Sequence, residues 1–241
     1  MSNARELVEI SGTTDCERVL YAIPHAGAGV AAVKGMCRAL GARWSTVGVR
    51  LAGRESRTSE TPVNSLRLLA DGLAAHIGEH AKGRRIHLYG HCSGALLAYE
   101  VALRLPASEL EGLTVSAHQS PDRVPLNGAW RLPRDQFFVQ VRKDGYLPDE
   151  LIGNTELLEL VEPALRADYE AIETHPFEPR PLDMPLLALL GSKDDAVEPA
   201  DAVLWEQWTT DRFCLDTLPG GHNLLLDDPE QVAAAISSFH G

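Results

Sequence analysis

Five residues, Gly90-His91-Cys92-Ser93-Gly94, set a thiol and a hydroxyl side by side between two glycines. The glycine spacing is that of G-x-S-x-G, the turn on which hydrolases raise a nucleophile. Here the phase of the pattern gives the central position to Cys92. Ser93, one step on, falls at the helix start, where its backbone N–H faces a developing oxyanion. A cysteine at a helix N-terminus gains thiolate character from the helix dipole and the free amides. A glycine-flanked turn with a passive cysteine is the structural alternative.

A thiol nucleophile needs a base, and the base needs an orienting acid, in the chain order nucleophile, acid, histidine. "LLALLGSKDDAVEP" puts Asp194 and Asp195 just past an apolar run, where the acid loop belongs. Asp194 is favoured, with Asp195 expected to cap the helix that follows. "LPGGHNLL" puts His222 after the last strand, with two glycines that let the loop turn the imidazole inward. His25, in "IPHAGAG", follows the first strand, where backbone amides can complete an oxyanion hole; its side chain reads as a loop brace. His91 precedes the nucleophile and should face elsewhere. His76-Ile77-Gly78-Glu79-His80 matches the H-x-x-E-H zinc pattern, but Gly78 weakens the helix and no downstream carboxylate stands out. A solvated helix end is the expected role, and no metal site is assigned.

These groups need strands and helices to hold them. "RVLYAIP" (18–24) reads as a buried strand, "GVAAVKGMCRAL" (29–40) as a helix, and "WSTVGVRL" (44–51) as the next strand. "VNSLRLLADGLAAHIGEH" (63–80) has helical apolar spacing and "RIHLYG" (85–90) returns to strand. "ALLAYEVALRL" (95–105), "LEGLTVSAH" (110–118), "MPLLALLG" (184–191), "FCLDTLPGG" (213–221) and "PEQVAAAISSFH" (229–240) continue as helix, strand, strand, strand and helix. This alternation predicts an α/β fold with a mostly parallel sheet and helices on both faces. Residues 133–176 are helical in pattern with no strand, and read as a lid inserted over the mouth of the sheet, where α/β ligands bind. The expectation is one domain spanning 1–241 with that lid inside it.

Bulk properties narrow the function. The chain has 241 residues, 44% hydrophobic and 23% charged, the mix of an ordinary soluble protein. Its formal charge of −12 argues against nucleic acid and means that an acidic partner would need a local basic patch. No apolar run approaches the roughly 20 residues that span a bilayer, and the first residues lack a secretory h-region. A cytoplasmic location and no membrane partner are expected. Cys16, Cys37, Cys92 and Cys214 are scattered, which argues against a disulfide framework or cysteine-rich zinc site.

Several motifs in one order carry a family resemblance over nearly the whole chain. "IPHAGAG", "VRLAGRESRTSE", "LYGHCSGALLAYEVA", "LLELVEPALRADYEAIETH", "GSKDD" and "GGHNLL" resemble the oxyanion loop, P-G-R-E-x-R segment, elbow, lid, acid loop and histidine loop of type II thioesterases. Those enzymes serve nonribosomal peptide and polyketide assembly and have the α/β-hydrolase fold. An alanine stands where the second motif commonly has proline. The resemblance implies cleavage of acyl or aminoacyl thioesters from the phosphopantetheine arm of carrier proteins, with no other cofactor. It carries the nucleophile to Cys92, the acid to Asp194, the base to His222 and the oxyanion amides to Ala26 and Ser93. Arg50, Arg54, Arg57, Arg142 and Lys143 are candidate docking cations for an acyl or peptidyl carrier protein. A monomer is expected.

The departure is the nucleophile, usually serine in that family. A serine acyl-enzyme is an oxoester, lower in energy than the thioester that made it. A cysteine acyl-enzyme is itself a thioester, so acylation is nearly balanced and a second thiol competes well with water. Hydrolysis or editing therefore stands beside an acyltransferase that shuttles acyl groups between carriers. A dienelactone-hydrolase-like enzyme with a free small substrate, and a non-catalytic carrier-binding module, are the remaining alternatives.

Overall fold

The computed structural model describes residues 3–13, 15–145 and 154–240. Seven strands form one sheet: β1 (Leu7–Ser11), β2 (Arg18–Ile23), β3 (Ser45–Val49), β4 (Arg85–His91), β5 (Leu110–Ser116), β6 (Leu186–Gly191) and β7 (Phe213–Leu218). Their order is β1-β3-β2-β4-β5-β6-β7, and every pairing is parallel except that of β1 with β3. The α/β reading holds. The antiparallel edge strand β1 is an addition: its five residues, LVEIS, give too short an alternation to separate strand from loop.

The described helices are α1 (Asn3–Glu6), α2 (Lys34–Ala39), α3 (Leu66–Ala81), α4 (Ser93–Ala102), α5 (Arg134–Lys143), α6 (Thr155–Glu173), α7 (Pro199–Ala202), α8 (Leu224–Asp227) and α9 (Pro229–Phe239). The expected helix over 29–40 is split, its first turn 3₁₀ over Val30–Val33. Two apolar clusters lie on opposite faces of the sheet. One packs α3 and α4 against β2, β4 and β5; the other packs α2 and α9. Helix α4 is buried on every side, which "SGALLAYEVA" permits because its polar residues sit at its two ends or, like Tyr99, find a partner. Six of the seven residues of β4 are buried, as a strand covered on both faces requires.

The stretch expected as a helical insertion contributes α5 and α6, and its part from 146 to 153 lies outside the described residues. Phe137 and Val141 of α5, Leu165 and Tyr169 of α6, and Ala129 form a third apolar cluster that reaches Ala26 beyond β2. No described helix is long and apolar enough to cross a membrane, and no described group of His, Cys, Asp and Glu has metal-holding geometry. All four cysteines are free, with Cys37 buried, Cys16 half-buried and Cys214 exposed.

Candidate active site

Between β4 and α4 the chain turns through a single residue. Cys92 has φ 53° and ψ −126°, a left-handed conformation that a side-chain-bearing residue adopts only when its surroundings enforce it. The flanking glycines are what allow it. A Cβ on Gly90 would lie 2.2 Å from the Gly94 carbonyl oxygen, and one on Gly94 would lie 2.5 Å from the carbonyl oxygens of Ile23 and Pro24. The Cys92 N–H is held by the Ser116 carbonyl at 2.7 Å. The turn is thus pinned to β2 and β5, and the thiol stands at the N-terminus of α4.

Cys92 Sγ lies 2.8 Å from His222 Nε2. The other ring nitrogen, His222 Nδ1, lies 3.0 and 3.1 Å from the two carboxylate oxygens of Asp194. The Asp194 side chain is fully buried, and its Oδ1 also accepts the N–H groups of Ala196 and Val197 at 2.9 and 3.1 Å. Those amides hold the carboxylate in place, so it can present itself to the ring. Asp195 is exposed, and the residue at the N-cap of α7 is Glu198, without a side-chain cap bond. The capping role expected of Asp195 is therefore wrong: the N-cap lies three residues beyond the acid pair.

Electrostatics concentrate charge on one ring. Burial alone would lower the His222 pKa, but the adjoining Cys92 sulfur and the Asp194 carboxylate override it and push it up to about 11. Around it, burial lowers His25 and His118 to about 4 and holds His91 well below the usual imidazole range. A ring of raised proton affinity, set between a carboxylate and a sulfur and among histidines that burial shifts the other way, is an arrangement able to deliver a nucleophile.

His91 is buried with Nδ1 at 3.0 Å from Ser116 Oγ, off the line of these three groups, as expected. His25 packs edge-on against it with ring centroids 5.8 Å apart, and its Nδ1 has no hydrogen-bond partner among the described residues. Ala26 and Ser93 both border the cavity that opens on Cys92. That cavity, about 120 Å³, is also lined by Gln119, Asp144, Tyr169 and Glu173. The sequence reading assigned none of these four a role: Tyr169 and Glu173 lie in the lid segment on α6, Asp144 ends α5, and Gln119 follows β5 outside any motif. The Tyr169 hydroxyl donates to Asp144 Oδ2 at 2.8 Å, and burial raises the Glu173 pKa. Ala117, another lining residue, has φ 51°, a second strained position that no motif announces.

Two further expectations need correction. Arg54 is 7% exposed and bonded to Asp168, and Arg57 is 6% exposed and bonded to Glu6 and Glu60, so neither can greet a partner. Arg50 is committed to Glu55 at 2.6 Å. The GRESR stretch is an internal brace, and only Arg142 and Lys143 of the candidate docking cations are exposed. The HIGEH stretch is likewise no solvated helix end: His76 Nδ1 bonds Glu6 and His80 Nδ1 lies 2.8 Å from the Tyr21 hydroxyl. His76 thus ties α3 to the end of α1, and His80 ties it to β2.

A family model described as a thioesterase domain matches residues 18–239. The chain is 30% identical over 222 residues to Thioesterase PikA5 of Streptomyces venezuelae, covering 90% of this chain and 79% of that one. The RedJ thioesterase from the prodiginine biosynthetic pathway in Streptomyces coelicolor is 30% identical, with a TM-score of 0.86 over 95% of this chain and 88% of its own. The type II thioesterase BorB from the borrelidin biosynthetic cluster is also 30% identical, with a TM-score of 0.86 over 97% of each chain. The matched span runs from the start of β2 to the end of α9 and so includes every residue of the Cys92–His222–Asp194 line: the chain belongs to the thioesterase family of the α/β-hydrolase fold, among the type II thioesterases.

Proposed function

We propose that this protein takes acyl or aminoacyl groups from the phosphopantetheine thioesters of carrier proteins, through an acyl-enzyme on Cys92. The observation that carries the reading is the hydrogen-bonded line from Cys92 Sγ through His222 to Asp194. The prodiginine and borrelidin biosynthetic settings of the RedJ and BorB thioesterases, each 30% identical, support a substrate held on a biosynthetic assembly line.

In this mechanism His222, oriented by Asp194, holds the proton of the Cys92 thiol, and the thiolate attacks the thioester carbonyl. The carbonyl oxygen becomes an oxyanion facing the Ala26 and Ser93 amides. As the tetrahedral intermediate collapses, the C–S bond to pantetheine breaks and His222 hands its proton to the departing thiolate. The neutral imidazole then deprotonates the acceptor, which attacks the Cys92 thioester; the acyl C–Sγ bond breaks and leaves the Cys92 thiolate beside the protonated His222. With water the product is a free acid. The helices α5 and α6 act as a lid that shields the intermediate. The small cavity, walled by polar Asp144, Gln119 and Glu173 and by apolar Val124, Ile172 and Val197, suits a short acyl group rather than a long chain.

The sulfur itself favours a second reading, transfer to another carrier. The Cys92 intermediate has a thioester's energy, so a pantetheine thiol can take the acyl group back at little cost. One experiment addresses both readings. A carrier loaded with a short acyl or aminoacyl thioester is incubated with enzyme, with and without a second, unloaded carrier. Cys92-dependent loss of the donor thioester is expected, with free acid alone in the first case and acyl second carrier appearing in the other. Donor loss that survives Cys92→Ala overturns the proposal; free acid as the sole product with any acceptor removes the transfer reading.

A further inference from the structure

The loop that carries Ala26 is a tight turn held from outside the sheet. The Ala28 N–H donates to the His25 carbonyl at 3.1 Å, and Gly27 has φ 71°. A positive φ at the third position of such a turn fixes the orientation of its central peptide, the one joining Ala26 to Gly27. That peptide's N–H is the donor to Asp168 Oδ2, at 2.8 Å. Asp168 belongs to α6, one turn beyond Leu165, and Leu165 lies flat on Gly27: a Cβ there would sit 2.7 Å from Leu165 Cγ. Two neighbouring turns of one helix therefore clasp one glycine, from its N–H and from its α-carbon.

A buried carboxylate needs a counter-charge, and Arg54 supplies it. Its Nη1 and Nη2 donate to Asp168 Oδ2 and Oδ1 at 2.9 and 3.0 Å, a two-pronged pair with side chains only 6% and 9% exposed. Arg54 Nη1 also reaches the Ala28 carbonyl at 3.4 Å. The pair thus holds the turn at its N–H and at its last carbonyl. Nothing in the Cys92–His222–Asp194 line uses either residue.

The geometry points to Asp168 as a positioning residue of the reaction: from the lid helix it sets the Ala26–Gly27 peptide, and so the oxyanion-stabilising amide of Ala26, making that hole complete only while α6 is seated. The inference rests on the proposed acyl-enzyme mechanism. It predicts a lid that assembles the transition-state site rather than merely covering it, because α6 carries both the acyl-pocket wall, Tyr169 and Glu173, and the group that holds the turn.

The test separates the amide's role from that of the thiolate. Removing both charges together avoids a stranded buried ion. In R54M/D168L the side chain at 168 cannot accept the Gly27 N–H, whereas in R54M/D168N the amide oxygen can. Two rates are read on each full-length variant: single-turnover acylation from an acyl-pantetheine thioester, and alkylation of Cys92 by iodoacetamide, which needs no oxyanion hole. R54M/D168L should acylate about 10- to 100-fold more slowly at saturating thioester, with KM and the alkylation rate within about threefold of the parent protein. R54M/D168N should recover most of the loss. The inference is overturned by equal acylation in the leucine variant, by equal loss in both variants, or by alkylation falling as far as acylation. If R54M/D168L does not fold, R54M/D168A provides the same comparison. Absence of acylation in the parent protein would instead overturn the proposed function.

Discussion

At the corner between β4 and α4, one atom type decides how the covalent step balances. With sulfur at position 92 the acyl-enzyme is a thioester; with oxygen it would be an ester that a thiol cannot profitably attack. Cys92→Ser should therefore shift product from acyl acceptor carrier towards free acid, by at least about tenfold in their ratio, even if turnover falls. The ratio is read by mass spectrometry of the two carriers. Beside it, Asp194→Asn tests the orienting acid. Loss of the carboxylate removes a charge that favours the imidazolium, so the His222 pKa should fall from its raised position of about 11. The alkaline limb of the acylation profile, set by loss of the His222 proton, then moves to lower pH. NMR titration of the His222 ring checks the shift directly, and acylation should slow by about 100-fold or more. Asp195→Asn, at an exposed side chain, should leave both within about twofold.

Among the elements, what was legible was what motif phase dictates. The glycine spacing assigned the corner to Cys92, and the loops after β6 and β7 gave Asp194 and His222, because each follows a run of apolar residues whose end is plain in the sequence. The six strands from β2 to β7 were legible for the same reason. What escaped was pairing across long separations. Arg54 and Asp168 are 114 residues apart, and Arg57 meets Glu6 across 51, so an arginine-rich segment that looks like a surface patch is a buried brace. The pocket walls Asp144, Tyr169 and Glu173 escaped because a helix pattern tells which face is apolar but not which neighbour it meets. The elbow itself makes a stability prediction. Gly94→Ala forces a methyl carbon against the carbonyl oxygens of Ile23 and Pro24, backbone atoms with no room to move. It should cost about 2–4 kcal/mol, read from the midpoint of denaturant unfolding. Gly145, whose α-carbon lies against the His222 ring, gives a milder version: a Cβ there would lie 2.6 Å from Cδ2. Gly145→Ala should slow acylation more than it destabilises the fold.

For the molecule as a whole, the strand order sets the arrangement. Parallel strands β4, β6 and β7 end at one edge of the sheet, so the loops that follow them bring Cys92, Asp194 and His222 together. Helices α5 and α6 lie over the same edge and supply one wall of the cavity, with the loop after β5 supplying another. Net charge works at this scale too. A chain of formal charge −12 repels an acidic carrier at long range, and the arginines once candidates to offset this are internally paired. Raising salt from about 10 to 150 mM should therefore speed acylation by carrier-bound substrate about twofold or more, with little change for acyl-pantetheine. A fall with salt would mean that exposed cations such as Arg142 and Lys143 dominate docking.

The idea on which all of this turns is that the sulfur of residue 92 takes the acyl group. Intact-mass measurement after mixing with an acyl thioester tests it most directly, on the parent protein, Cys92→Ala and Ser93→Ala. The expected result is one acyl increment on the parent and on Ser93→Ala, sensitive to neutral hydroxylamine as a thioester is, and none on Cys92→Ala. An increment that persists without Cys92 and vanishes without Ser93 would contradict the account.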